Sequence, residues 1–380
     1  HANIQKNPRR IAATGAALLI GVTLVSTIAT GAASAKETMN GALATRYSVD
    51  IVAMGDDISQ QMVKDVADIN GVSDTLYAPA VSVTLEKADG TQPTSALLVG
   101  VKNIDQVKQV MRANLGNASI DSDSVLMPTY NAQTGKELQF ANGTADFSTE
   151  WNQDGVTTRS LTLQAEQADY RRVSAQYGAV GFVDESHFTN GDLDAATHVL
   201  LVKADTDKSG VSVDGIYNDM QAALEKSTDA TVTGPIAERI VWANMIDSMM
   251  MLLVGLIAVA VLIALVGVAN TLSLSVIERT RESATLRAIG MTRGQLRRSL
   301  AVEALLISLV SGIAGVLLGT LFGWLGAYVV FSMYGKVVFP FEWGINGIVL
   351  AVAAVAALLA SVFPARRAVS TPPVEALAEA

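Results

Sequence analysis

The chain has 380 residues and no cysteine; half of it is hydrophobic and only 17% is charged. With a positive mean hydropathy, this excludes a disordered tail, a disulfide scaffold and an ordinary soluble enzyme of this length. The net charge of −9 argues against nucleic acid as a partner, because phosphates select basic surfaces.

Four runs carry no charge: Ile11–Ala35, Ser248–Ile277, Ala304–Gly335 and Trp343–Ala365. At about 1.5 Å per residue, each is long enough to cross a hydrocarbon core of about 30 Å as a helix. The sequence therefore predicts four transmembrane helices, at 11–35, 248–277, 304–335 and 343–365. The first run has two readings. Lys6, Arg9 and Arg10 precede it and Ala33-Ser34-Ala35 end it, which fits a cleaved secretory signal. Its length exceeds the usual apolar region of such a signal and favours a retained helix.

Lys and Arg set the orientation. They cluster in residues 1–10, in 278–303 (Arg279, Arg281, Arg287, Arg293, Arg297, Arg298) and in 366–380 (Arg366, Arg367). These three segments are expected on the cytoplasmic side. The short loop 336–342, with Lys336 alone, and the long segment 36–247 are expected outside. The long segment carries a net charge of −15 and the remainder +6. The predicted class is a membrane α-helical protein of a plasma membrane, with an α+β extracellular domain inserted between helices one and two and both termini inside.

Within 36–247, Tyr47–Ala53 alternates and reads as a strand. Ser59 caps a helix through about Ile69, with Met62, Val63, Val66 and Ile69 on one face. Val81–Leu85 and Ala96–Val101 read as strands and Ile104–Leu115 as a helix. Val156–Leu163, Ala179–Val183 and His198–Val202 read as strands. Val213–Lys226 reads as a helix with Ile216, Met220, Ala223 and Leu224 inward. Residues 119–154, rich in Asn, Asp and Gly, read as a second lobe or long loops. Pro235 is followed without a breaker into the second span. That predicts either one long helix leading out of the domain or a plain amphipathic lead-in.

Catalytic signatures are missing. The sequence has no G-x-x-x-x-G-K-[S/T] loop, no H-E-x-x-H and no G-x-S-x-G, so no nucleotide, zinc or acyl-transfer chemistry is expected within the chain. No cofactor or metal is expected. Asp205, Asp207, Ser209 and Gly210 open like a calcium loop, but the twelfth position is Ile216 rather than Glu, so a polar loop is the expectation. His198 reads as a strand histidine. No Asp, Glu, Lys, Arg or His lies in the four runs, which argues against a proton- or sodium-driven carrier. Asn270 and the four-residue spacing of Gly315, Gly319 and Gly323 read as helix-packing features.

The inner segment carries apolar Leu286 and Ile289 in a basic surround, and Gly290 as a helix stop. It reads either as a positive-inside loop or as a docking element for a soluble partner. Here the sequence resembles permeases of the FtsX/MacB-like ABC transporter family. The resembling residues are Gly267-Val-Ala-Asn270, Ser275-Val-Ile-Glu-Arg-Thr-Arg-Glu282, Leu286-Arg-Ala-Ile-Gly290, Glu303-Ala304, Pro364-Ala-Arg-Arg-Ala368 and Pro373-Val-Glu-Ala376. Ser283-Ala284 replace the family's usual Ile-Gly. Asn7-Pro-Arg-Arg10 is similar to members from high-GC Gram-positive bacteria.

The resemblance implies a MacB-like periplasmic core domain at 36–247. It also implies an ATPase-coupling segment made of Glu278, Arg279, Arg281, Glu282, Leu286, Arg287, Ala288, Ile289 and Gly290. The implied partners are a cytoplasmic ABC ATPase subunit, a second permease unit and membrane lipid. The chain is expected to be the C-terminal half of a larger permease, whose other half is the second unit; the alternative is a standalone unit with a homodimer mate. Hydrolysis is expected in the ATPase subunit, and the chain's work is mechanotransmission or export. An FtsX-like regulator of a cell-wall hydrolase and an anchored sensor without an ATPase are the competing readings.

Overall fold

The structure is a computed structural model that describes residues 8–86, 88, 93–152, 156–205, 210–278, 291–333 and 335–370. Side chains of 8–14, 17, 150–158, 260–278, 293, 297, 300 and 360–370 fall outside the description. The chain divides into two compact units: a helical unit of residues 1–39 and 243–380, and a sheet unit of residues 40–242.

The helical unit is built from α1 (Pro8–Arg46), α6 (Pro235–Glu278), α7 (Arg293–Phe331) and α8 (Trp343–Ser370), of which α1 and α6 also contribute residues to the sheet unit. Among the described residues, three helical stretches are long and apolar enough to cross a membrane: Leu18–Arg46, Pro235–Val259 and Gly294–Phe331. Trp343–Leu359 is a shorter apolar helix. Pro235 starts α6 without supplying an N–H, which suits the first helical turn. From there α6 continues through Glu278, which favours the long-helix reading over a separate lead-in. The described residues between α7 and α8 bond back to the helices: the Trp324 indole donates to the Pro340 carbonyl at 2.9 Å, and Val338 N–H donates to Thr38 Oγ1 at 3.1 Å.

The sheet unit contains β1 (Ile51–Gly55), α2 (Gln60–Ala67), β2 (Val72–Leu85), β3 (Thr94–Val101), α3 (Ile104–Val110), β4 (Ser124–Pro128), β5 (Thr144–Asn152), β6 (Val156–Ala168), β7 (Ala179–Asp184), α4 (Ser186–Thr189), β8 (Thr197–Ala204), α5 (Val213–Ala223) and β9 (Thr231–Thr233). The strand order is β3-β7-β4-β6-β5-β2-β8-β1-β9, and β2 also pairs with β3. That extra pairing closes six strands into a barrel and leaves β2-β8-β1-β9 as an open antiparallel sheet. Two barrel pairs are parallel, β3 with β7 and β4 with β6. Val83, Leu85, Leu98, Met127, Phe147 and Leu163 belong to one buried cluster that fills the barrel. A six-stranded barrel is narrow enough for side chains to fill it.

The open sheet is covered on both faces. Ile51, Ala53, Leu200 and Val202 pack under α2 and α5, while Val52, Met54, Val199 and Leu201 join the cluster that holds α3. This explains why β1 is apolar at every position rather than alternating. Ser59 caps α2 by accepting from Met62 N–H at 3.3 Å, as its sequence position predicts, and Met62 and Val66 are the buried pair.

Several boundaries differ from the sequence reading. The expected strand at Tyr47 begins at Ile51, because Tyr47 makes only an isolated bridge to Arg172. The helix expected over Ile104–Leu115 ends at Val110. There Arg112 is drawn away, its side chain bonding Asp50 and the Ala204 carbonyl and its N–H the Ser48 carbonyl. The stretch 119–154 is neither a separate lobe nor only loops: it supplies β4 and β5, two staves of the barrel. Pro79 falls in the half of β2 that pairs on one side only, where a missing N–H costs no ladder bond.

Candidate coupling segment and helix-packing site

Of the coupling residues, Glu278 is the last residue of α6. Arg279, Arg281, Glu282, Leu286, Arg287, Ala288, Ile289 and Gly290 lie outside the described residues, and so does the side chain of Asn270. The way out of the segment is defined. Thr292 accepts from Gln295 N–H at 3.3 Å, and Gln295 Oε1 accepts from Thr292 N–H at 2.9 Å. This reciprocal cap satisfies two orphan donors and fixes where α7 begins.

Three glycines of α7, Gly315, Gly319 and Gly323, meet α1. A Cβ added at Gly315 would lie 2.8 Å from Val22 Cγ1; at Gly319, 2.6 Å from both Ser26 Cβ and Thr23 O; at Gly323, 2.7 Å from Thr30 Cβ and 2.8 Å from Thr27 O. No side chain fits in those spaces, so the two backbones approach as closely as glycine allows. Residue numbers rise together along both helices, so they run parallel. Sequence reasoning could not say which helix fills the glycine stripe.

It also missed a polar seam across the helical unit. Ser26 Oγ donates to Asn346 Oδ1 at 2.7 Å, joining α1 to α8 at a separation of 320 residues. Ser26, Thr30 and Ser34 are fully buried. Thr30 Oγ1, Ser34 Oγ, Thr320 Oγ1 and Asn346 Nδ2 are buried without a hydrogen-bond partner among the described residues. The sequence signal was present but weak: a hydroxyl every fourth residue from Ser26 to Thr38. Lys36 Nζ pairs with Asp247 at 2.5 Å, linking α1 to α6 within this unit.

In the sheet unit, the residues just after α1 form a tight junction. The Tyr47 hydroxyl donates to the Glu238 carboxylate, and the Arg172 guanidinium lies 5.5 Å above the Tyr47 ring. Burial first, and Glu238 second, push the Tyr47 phenol well above the usual tyrosine range. Ser48 N–H donates to the Arg172 carbonyl and Arg172 N–H to the Arg46 carbonyl.

The histidines of the sheet unit are held by neighbouring groups. His198 stacks on Tyr77 with ring centres 5.1 Å apart. His187 bridges Asp192 and the Ser122 carbonyl at 3.0 and 2.7 Å, an arrangement that ties loops together. Asp205 is the first residue of the calcium-like stretch, and residues 206–209 lie outside the described residues. Among the described residues no group of three or more His, Asp or Glu side chains is placed to hold a metal.

Comparison with known proteins gives the class first. The family described as FtsX-like permease C-terminal matches residues 254–373, and over that stretch the chain is similar to ABC transporter permeases of the FtsX/MacB kind. The relatives then sharpen this. The macrolide export ATP-binding/permease protein MacB 1 of Aeromonas hydrophila is 34% identical over 114 residues, covering 30% of this chain and 17% of the relative. The pyoverdine export ATP-binding/permease protein PvdT of Pseudomonas aeruginosa is 23% identical over 316 residues, 74% of this chain and 47% of the relative. An ABC transporter permease of Methanocaldococcus jannaschii is 27% identical over 178 residues, 45% of this chain and 44% of the relative. The chain thus spans less than half the length of these curated relatives.

Among solved structures, the periplasmic region of MacB from Actinobacillus actinomycetemcomitans covers 52% of this chain and 94% of its own length, at 11% identity and a TM-score of 0.27. At that score the architecture of the sheet unit stands on its own strand order.

Proposed function

We propose that the chain is the transmembrane permease unit of an ABC transporter of the FtsX/MacB type. In this reading a partner subunit hydrolyses ATP in the cytoplasm, and the chain passes the resulting motion to an extracellular sheet unit, for export or mechanotransmission. Four spans cross the membrane, both termini lie inside, and residues 36–247 lie outside. The match of residues 254–373 to the FtsX-like permease family carries the proposal. It includes the basic segment from Arg279 to Gly290, with Leu286 and Ile289 as apolar knobs for a groove on the ATPase. A second permease unit completes the assembly, as another half of a longer polypeptide or as a second copy. The chain itself performs no catalysis.

The test is purification of the native polypeptide from membranes in mild detergent, identification of what accompanies it, and assay of ATP hydrolysis. A co-purifying P-loop ATPase that is lost on Arg287→Glu supports the proposal. A clean preparation without hydrolysis sinks it and leaves the anchored sensor. Capture of an extracellular cell-wall hydrolase together with the ATPase would point to the regulator instead of an exporter.

A further inference from the structure

The buried stripe on α1 repeats every four residues through Val22, Ser26, Thr30, Ser34 and Thr38. Opposite it, α7 repeats at the same interval through Gly315, Gly319 and Gly323. The helices run parallel, so a screw displacement of one past the other by four residues, about 6 Å with a turn of about 40° about its own axis, lays each stripe back on an equivalent one. Ser26 is the hydroxyl of the stripe that reaches Asn346. Thr30, one repeat further on, is fully buried with an unpartnered Oγ1, and its Cβ is aimed at Gly323. Asn346 keeps an unpartnered Nδ2.

We propose that α1 has a second seat, one four-residue repeat toward its own N-terminal end, in which Thr30 replaces Ser26 against Gly319 and bonds Asn346. Gly323 then receives Ser34, and Gly315 receives Ser26. Displacement the other way brings Val22 to Asn346 and offers no hydroxyl, so the seam sets the direction. The observed seat is held by the Thr38–Val338 hydrogen bond and the Lys36–Asp247 pair, both given up in the move. Intermediate positions put side chains rather than glycine notches in register, so the device has two positions rather than a continuum. The proposal rests on the packing of three helices and not on the ATPase coupling proposed above.

The chain's lack of cysteine makes the test direct. The full chain is placed in native membranes with cysteine pairs, and intrachain disulfides are followed under mild oxidation, since bridging requires Cα atoms within about 7 Å. Gly15→Cys with Ser311→Cys reports the observed seat, because a Cβ at Gly15 would lie 3.0 Å from Ser311 Oγ. Leu19→Cys with Ser311→Cys reports the second seat, and Ile11→Cys with Ser311→Cys the opposite displacement. The first two pairs are expected to close, the second at least ten times faster than the third. Thr30→Val keeps the shape of the side chain and removes its hydroxyl. It should slow the Leu19 pair at least threefold and leave the Gly15 pair unchanged. A Leu19 pair no faster than the Ile11 pair, or one indifferent to Thr30→Val, overturns the second seat. Failure of the Gly15 pair overturns the observed seat and the proposal with it.

Discussion

Replacing Gly319 with alanine isolates the glycine contact in one methyl group. The new Cβ would stand 2.6 Å from both Thr23 O and Ser26 Cβ and 3.0 Å from Thr27 N, about 1 Å inside ordinary contact. Two of the three obstacles are backbone, so α1 itself must retreat. A retreat of that size forfeits a quarter to a half of each dispersion contact along the seam. It also stretches the 2.7 Å Ser26–Asn346 bond past useful length, a loss of about 0.6 kcal/mol in a membrane interior. Overpacking of this kind costs about 1–3 kcal/mol, offset by the roughly 1 kcal/mol that alanine gains over glycine in a helix. The expected net loss is about 1–2 kcal/mol. Gly326 is the control on the same helix: nothing lies within 4 Å of its Cβ position, so Gly326→Ala should be neutral or slightly stabilising. Reversible unfolding of the purified chain in mixed micelles, followed by far-ultraviolet circular dichroism, compares the two variants. Equal stability of Gly319→Ala and Gly326→Ala would refute the close approach of α1 and α7.

Three further outcomes are expected. Phe147→Ala empties a fully buried position inside the barrel and should cost about 3–5 kcal/mol in chemical denaturation. Thr292→Ala removes one half of the cap at the start of α7 and should cost about 1 kcal/mol, read as increased amide exchange confined to the first turn of α7. Tyr47 and Tyr170 have phenols raised above the usual value, so their stabilising contribution is complete below about pH 10 and declines as pH rises further. Tyr47→Phe should lower stability at neutral pH and flatten the loss at alkaline pH. An alkaline profile identical to that of the unmodified chain would remove Tyr47 from the account.

What could be read in the sequence was local. Long uncharged runs mark apolar helices because a charge in hydrocarbon is so costly, and Ser59 marks the start of α2 because its side chain replaces a missing backbone partner. The family match covers the basic segment after α6, whose residues 279–290 lie outside the described residues. The barrel was not legible, since its closure depends on β2 meeting both β3 and β5 and on the parallel pairing of β4 with β6. Nothing in the polar stretch 119–154 announces either. The length of α3 was overestimated for a similar reason: Ile104–Leu115 has helical periodicity throughout, and distant partners of Arg112, among them Asp50 and the Ala204 and Ser48 carbonyls, stop it. The glycine stripe was visible as a notch, while the residues filling it lie about 290 positions earlier.

One strand, β2, is a stave of the barrel and also a member of the open sheet. Its first half is bonded to β8 and its second half to β3 and β5. A pull along that strand therefore loads the two ladders in shear, where many hydrogen bonds resist together, rather than peeling them apart one at a time. The barrel and the open sheet are fastened by a covalent beam and not by a glued joint. Under tension they move as one piece, and any compliance in the sheet unit must come from its loops and ends.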